Sequence, residues 1–232
     1  MPPEEAEFAA RLAAVEERIE RAAQRCGRKR EDITLVAVSK KFPAERLAIA
    51  YRVGLREFGE NYVQEFAEKR PALASLTEAR YHLIGHLQSN KARIACELFQ
   101  TIQTVDSAKL MNRLNLAAGE RGATIEAMIE VKLSGEESKS GADPAEIAAL
   151  LDAAASCPHV SVTGLMTMPP WSEDPEHSRG YFRQLAALAR QHNLPKLSMG
   201  MSGDLETAIE EGATIVRVGT ALFGKRPKPP SA

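Results

Sequence analysis

Three short stretches of the chain carry residue types that do chemistry together. The first is Ser39-Lys40-Lys41, which follows an apolar run. A lysine amine attacks a carbonyl only when neutral, and catalytic lysines are brought from about 10.4 to about 7–8, a shift of about 4 kcal/mol. Lys41 beside Lys40 supplies cationic repulsion of the kind that lowers an amine. Read alone, the pair also describes two solvated lysines at a strand end. The second stretch is Ser198-Met-Gly-Met201-Ser202-Gly203-Asp204, and the third is Arg217-Val-Gly219-Thr220-Ala-Leu-Phe-Gly224. Both combine hydroxyls, backbone N–H groups and a helix start, the ingredients of an anion site. Each also has an ordinary reading, with Ser202 as a helix cap and Gly219 chosen for dihedral freedom.

The elements that must position these residues alternate with a clear rhythm. Short β-branched or aliphatic runs fall at 33–38, 56–58, 81–84, 101–104, 125–131, 160–165, 197–199 and 214–218. Between them lie helical patterns at 44–53, 62–70, 90–98, 108–118, 144–154, 175–191 and 203–211. The run at 33–38 is apolar throughout, as expected of a parallel strand covered on both faces. Asp143-Pro144-Ala-Glu146 combines an N-cap, a first-turn proline and a capping-box glutamate. Asn61 with Gln64, and Asp174 with Pro175, repeat that logic in weaker form. Before the first strand, Phe8, Leu12, Val15 and Ile19 give residues 4–26 a helical stripe, closed by Gly27. Eight strand–helix units in little over 200 residues predict a single TIM-type (β/α)8 barrel with an extra N-terminal helix. The turn after the first strand has no glycine, which argues against an open dinucleotide-binding sheet. The barrel with its N-terminal helix is expected to span 1–224, with 225–232 a disordered tail too poor in apolar residues to order itself. No C-terminal β-domain is expected.

Composition excludes several function classes. With 30 Lys+Arg against 31 Asp+Glu, the net charge of −1 lacks the basic footprint of a nucleic-acid or membrane-surface binder. No apolar run reaches the roughly 18 residues of a spanning helix, and the acidic start does not resemble a secretory signal. Cys26, Cys96 and Cys157 are odd in number and far apart, which reads as reduced thiols and a cytoplasmic location.

In a (β/α)8 barrel the loops after the strands form one mouth, with phosphate often held after strands 7 and 8. A carbonyl-trapping amine on strand 1 then faces a phosphate cradle, and a phosphorylated aldehyde such as pyridoxal 5′-phosphate (PLP) has both matching groups. At these residues the chain resembles the pyridoxal phosphate homeostasis protein family, whose barrel is similar to the N-terminal domain of alanine racemase. The resemblance is carried by Val36-Ala-Val-Ser-Lys40-x-x-Pro43, Phe58-Gly-Glu-Asn-Tyr-Val-Gln-Glu65 and His82-x-Ile-Gly-x-Leu-Gln-Ser-Asn-Lys91. It continues through Glu137-Ser-Lys-Ser-Gly141, Gly164-Leu-Met-Thr-Met168 and the two loops quoted above. It implies that Lys40 forms the Schiff base with PLP, that Ser202, Gly219 and Thr220 hold the phosphate, and that Met201 adds backbone contact. It further implies Arg217 at the pyridine nitrogen and Asn61 beside the cofactor. Because arginine donates and stays protonated, such a pairing leaves the ring a weak electron sink. The family often has a neutral residue where this chain has Lys41, so it lends no support to a tuning role there.

Other residues read as structural. His82 is expected to be buried or capping and His86 to reach the mouth, with no metal site between them. Met166, Met168, Met199 and Met201 read as barrel-top packing, Trp171 as cover for a surface loop, and Glu137, Ser138 and Lys139 as a polar loop that gates the mouth. Three functions share this site: a non-enzymatic PLP carrier and buffer, a PLP-dependent racemase, and a Schiff-base aldolase. Racemisation needs an acid/base on each face of the carbon. Tyr51, Tyr62, Tyr81 and Tyr181 are not expected at the mouth, so the carrier is the favoured reading. Its partners are PLP and apo PLP-enzymes as recipients, and a monomer is expected.

Overall fold

The computed structural model describes residues 2–134 and 140–224. Eight parallel strands close in chain order: β1 (Thr34–Val38), β2 (Glu57–Glu60), β3 (Arg80–Leu83), β4 (Thr101–Val105), β5 (Ile125–Glu130), β6 (Val160–Met166), β7 (Lys196–Ser198) and β8 (Ile215–Val218). Closure is made by β8 against β1, with Thr34 opposite Ile215 and Ala37 opposite Val218. The expected (β/α)8 barrel is therefore the observed one. Its outer layer is α1 (Pro3–Arg25), α2 (Ala44–Arg52), α3 (Val63–Lys69), α4 (Ala92–Leu98), α5 (Ala108–Gly119), α6 (Ile147–Ala155), α7 (Arg179–Gln191), α8 (Leu205–Glu210) and α9 (Thr220–Phe223). Among the described residues, no helix is long and apolar enough to cross a membrane. The predicted 225–232 tail and the Glu137, Ser138 and Lys139 loop lie outside the described residues.

Local chemistry fixes the helix ends. Asp143 accepts from the Ala145 N–H at 3.0 Å while Glu146 accepts from the Asp143 N–H at 2.8 Å, the expected capping box, here closing a 3-10 turn before α6. Asp174 likewise accepts from Glu176 N–H. Gly27, at φ 69°, closes α1 by a Schellman arrangement, with Gly27 N–H donating to Gln24 and Arg28 N–H to Ala23. Asn61 departs from the capping expectation alone. Tyr62 is the N-cap of α3 and gives it no side-chain bond, while the Asn61 side chain turns into the barrel mouth.

Two apolar layers hold the barrel. The larger lies between sheet and helices, where Phe66 packs on Tyr81 and Phe99 at centroid distances of 4.6 and 5.0 Å. A second, inside the barrel, is the small group Val36, Met128, Met166 and Ile215. The N-terminal helix does not cover the bottom of the barrel. Its stripe of Phe8, Val15, Ile19, Ala22 and Ala23 is buried against α2, α8 and α9, beside the seam where β8 meets β1. Phe223 of α9 stacks on Phe42 at 5.0 Å and meets Phe8 edge-on at 5.2 Å. That aromatic trio ties the loop after β1 to the loop after β8.

Candidate functional site at the barrel mouth

A pocket of about 340 Å³ opens at the C-terminal ends of the strands. Lys40, Asn61, Met201, Ser202, Arg217, Gly219 and Thr220 all line it, so residues from β1, β2, β7 and β8 meet in one cavity. Val38, Phe42 and Ile84 supply apolar wall. Met168 and Trp171 line it as well, which corrects the packing and surface-cover readings for those two residues. Trp171 is 80% exposed at the rim, whereas Met166 and Met199 are fully buried as expected.

The peptide carrying Lys40 is held from both sides. Ser39 is buried; its N–H donates to Gly59 O at 2.9 Å and its hydroxyl to Glu60 Oε1 at 2.8 Å. Lys69 Nζ donates to Glu60 Oε1 at 3.0 Å, to Ser39 O at 3.3 Å and to Glu65 at 2.5 Å. Glu65 Oε1 in turn accepts from the Lys41 N–H at 2.5 Å. Glu60 is fully buried, and burial pushes its carboxyl above the ordinary range despite the ammonium of Lys69. Lys41 has φ 65°, in the left-handed region that a non-glycine residue adopts only when its surroundings demand it. Its side chain is exposed and does not line the pocket.

The opposite wall is built by two loops that bond to each other. Gly200, at φ 89°, makes the turn after β7, where a Cβ would lie 2.4 Å from Ala208. Asp204 Oδ1 accepts from the Met201 N–H at 2.7 Å and its Oδ2 from the Ser178 hydroxyl at 2.9 Å, which shapes the 201–204 turn. Ser202 does not cap α8; its hydroxyl accepts from the Ala221 N–H at 3.4 Å, joining the β7 and β8 loops. Gly219 has φ −111°, open to any residue, so dihedral freedom does not explain it. Arg18 of α1 donates to Ser202 O at 2.9 Å and pairs with Glu206 at 2.6 Å, bracing the same turn from behind.

Arg217 sits between these walls, buried to 3% exposure. Its Nη1 donates to the Ser198 hydroxyl at 2.5 Å and its Nη2 to Thr167 O at 2.9 Å. Desolvation lowers its pKa to about 10, with Asp204 and Glu130 opposing, so it stays charged at neutral pH. Asn61 Oδ1 is buried and finds no hydrogen-bond partner among the described residues. Its backbone is fixed by Gly85, where a Cβ would come within 2.3 Å of Asn61 O. A half-buried lysine just past a strand end, an orphaned amide oxygen, a fixed guanidinium and a hydroxyl-rich double loop suit a planar phosphorylated aldehyde with a ring acceptor.

A smaller cavity of about 210 Å³ adjoins at Met168 and is lined by His86 and Glu130. Burial pushes the Glu130 carboxyl up to about 7, with Asp106 adding to the rise and Arg217 opposing it. His86 reaches the mouth as expected and faces Asp106 at 3.7 Å. Tyr62 departs from expectation: it stands 49% exposed in a rim groove with Asn61 and His86, outside the Lys40 pocket. Among the described residues, no group of three His, Cys, Asp or Glu has metal-binding geometry. Sequence reasoning misses Glu60, Lys69 and Gln103, and gives Asp204 no role beyond its place in the 198–204 stretch. A glutamine inside the apolar run at 101–104 and an acidic residue at the end of β2 are the signals that point to two of them.

Comparison with known proteins matches residues 10–227 to the family model of the alanine racemase N-terminal domain. A pyridoxal phosphate homeostasis protein of Aquifex aeolicus (strain VF5) is 43% identical over 93% of this chain and 97% of its own. One of the same name from Escherichia coli (strain K12) is 41% identical over 95% and 97%. PipY of Synechococcus elongatus PCC7942, solved with PLP bound, superposes with a TM-score of 0.82 at 39% identity, covering 94% of this chain and all (100%) of that one. Alanine racemase of Corynebacterium glutamicum, at 22% identity and a TM-score of 0.65, covers 93% of this chain and 61% of its own, and shares the fold. By sequence and by architecture, the chain belongs to the family of the pyridoxal phosphate homeostasis proteins, built on the barrel of the alanine racemase N-terminal domain.

Proposed function

We propose that this protein holds PLP in the barrel-mouth pocket and supplies it to apo PLP-enzymes, as a carrier and buffer with no catalytic turnover of its own. The observation that supports this most is the convergence of Lys40, Asn61, Arg217 and the two hydroxyl-bearing loops on one cavity. The PLP-bound PipY, similar over nearly the whole chain, agrees with it. PLP supplies an aldehyde that a neutral lysine amine captures covalently with loss of water. Lys40 is the capturing amine, and the Ser39, Glu60, Lys69 and Glu65 clamp holds its backbone in place. Ser202, Gly219 and Thr220 bind the phosphate, with Met201 alongside. Asn61 offers its unpartnered amide oxygen to the ligand. Arg217 donates to the pyridine nitrogen and, with a pKa near 10, gives up no proton there at neutral pH. A site that withholds that proton stabilises a carbanion poorly and favours retention over turnover.

The three thiols are free, in keeping with a reducing compartment, and we place the protein in the cytoplasm as a monomer. The test is the visible spectrum of the purified protein before and after borohydride, followed by mass analysis of the Lys40 peptide. Wild type is expected to be yellow and to carry the reduced adduct on Lys40, while Lys40→Ala carries none. Robust amino-acid racemisation by wild type that disappears in Lys40→Ala would replace this reading with the racemase one.

A further inference from the structure

A single file of hydrogen bonds runs through the barrel interior to Arg217. Arg217 Nη1–H donates to Ser198 Oγ at 2.5 Å, and that hydroxyl donates to Gln103 Oε1 at 2.6 Å. On its other side Gln103 Nε2 lies 3.0 Å from His82 Nδ1, and His82 Nε2 lies 2.7 Å from Glu57 Oε2. The five residues come from β8, β7, β4, β3 and β2 in that order. Gln103 and Ser198 are fully buried and His82 nearly so, and Glu57 is partly open at the N-terminal end of the barrel. There Glu57 faces Arg80 at 3.5 Å, and Arg80 reaches on to Glu126.

The direction of the file follows from what each atom is able to do. The guanidinium only donates, so Ser198 Oγ accepts from it and spends its own proton on Gln103. The glutamine oxygen is thereby committed to Ser198, which turns its NH2 toward His82 and makes Nδ1 an acceptor. His82 then carries its proton on Nε2, and a carboxylate at Glu57 is the acceptor that selects this tautomer. Turning the Gln103 amide over would take the acceptor from the Ser198 hydroxyl and set an oxygen against the Nδ1 lone pair of a neutral His82. The arrangement that satisfies every link with a neutral imidazole is set at one end by an arginine and at the other by a carboxylate.

We propose that Glu57, His82, Gln103 and Ser198 are positioning residues that fix the Arg217 guanidinium in the pocket, through a one-way hydrogen-bond relay from the opposite end of the barrel. The proposal rests on the PLP reading only for its affinity readout. Glu57 makes no contact with the pocket, so a merely structural glutamate there would act on stability and leave ligand affinity untouched.

The experiment is a double-substitution cycle read by PLP affinity. Glu57→Leu and Ser198→Ala are each expected to weaken PLP about fivefold, the worth of one net hydrogen bond. Because both cut the same file, the double variant is expected to be no weaker than Ser198→Ala, whereas independent sites would multiply. Multiplying factors, or an unchanged affinity in Glu57→Leu, overturn the relay. A second readout uses ligand-free protein. Histidine-labelled NMR is expected to show His82 with its proton on Nε2, and exchange of the Arg217 side-chain N–H protons is expected to accelerate in both variants. If wild type takes up no PLP, the functional reading falls and this second readout decides the relay alone: unaltered exchange sinks it.

Discussion

Lys69→Met tests how the Lys40 peptide is held. Glu60 Oε1 accepts from Ser39 and from Lys69, whose ammonium is about as sheltered as the carboxylate, with side chains 10% and 0% exposed. At 3.0 Å and an effective dielectric near 20, their attraction is about 5–6 kcal/mol. Losing one partner of a buried pair costs about 3–5 kcal/mol, since the survivor is left charged without compensation. In a domain of this size that lowers Tm by about 10 °C. The loss depends on pH in a definite direction. Burial already raises the Glu60 carboxyl from its ordinary 4.5, so its contribution is present below that value and fades as pH climbs through the raised one. Without the ammonium the rise is larger, so variant and wild type converge toward acid pH. The assay is urea unfolding of Lys69→Met at several pH values between about 5 and 8, with Glu60→Gln/Lys69→Met as rescue, because removing both partners is nearly neutral. A Lys69→Met within about 1 kcal/mol of wild type at pH 7, or a double variant no better than the single, would refute the clamp.

Two further expectations concern the pocket directly. Ser202→Ala and Thr220→Ala are each expected to weaken PLP about fivefold and pyridoxal, which lacks the phosphate, hardly at all; equal losses in parallel titrations would move the phosphate elsewhere. Glu130, raised by burial from 4.5 to about 7, favours the folded state most below 4.5, and up to about 3 kcal/mol is lost between those two values. Chemical denaturation across that range is expected to show the slope in wild type and not in Glu130→Gln.

Much of this molecule was legible from local pattern. The strand runs and the Asp143 capping box are written within a few residues, and the packing that realises them leaves little choice. The pattern marks strand only at 56–58, because Gly59 and Glu60 look unlike strand, yet β2 runs to Glu60, the residue that grips Lys69. Asn61 looked like a cap because its neighbours permit one, while Gly85, distant in sequence, sets its backbone so that the side chain enters the mouth. Gln103, with His82 and Ser198, was beyond local reading. Barrel closure alone decides that one glutamine bridges β3 and β7, and no spacing in the chain encodes it.

The N-terminal helix has a consequence for how the chain matures. Its apolar stripe rests on α8 and α9, and its Arg18, Arg25 and Phe8 engage Glu206, Glu210 and Phe223. Those residues leave the ribosome roughly 180 residues after the helix itself, an interval of about 10–40 s at ordinary elongation rates. Throughout that interval the stripe lacks most of its docking surface. Docking, and with it the bracing of the Ser202 turn, waits for α8 and α9 to emerge, and the ligand pocket matures only when α1 meets partners made long after it.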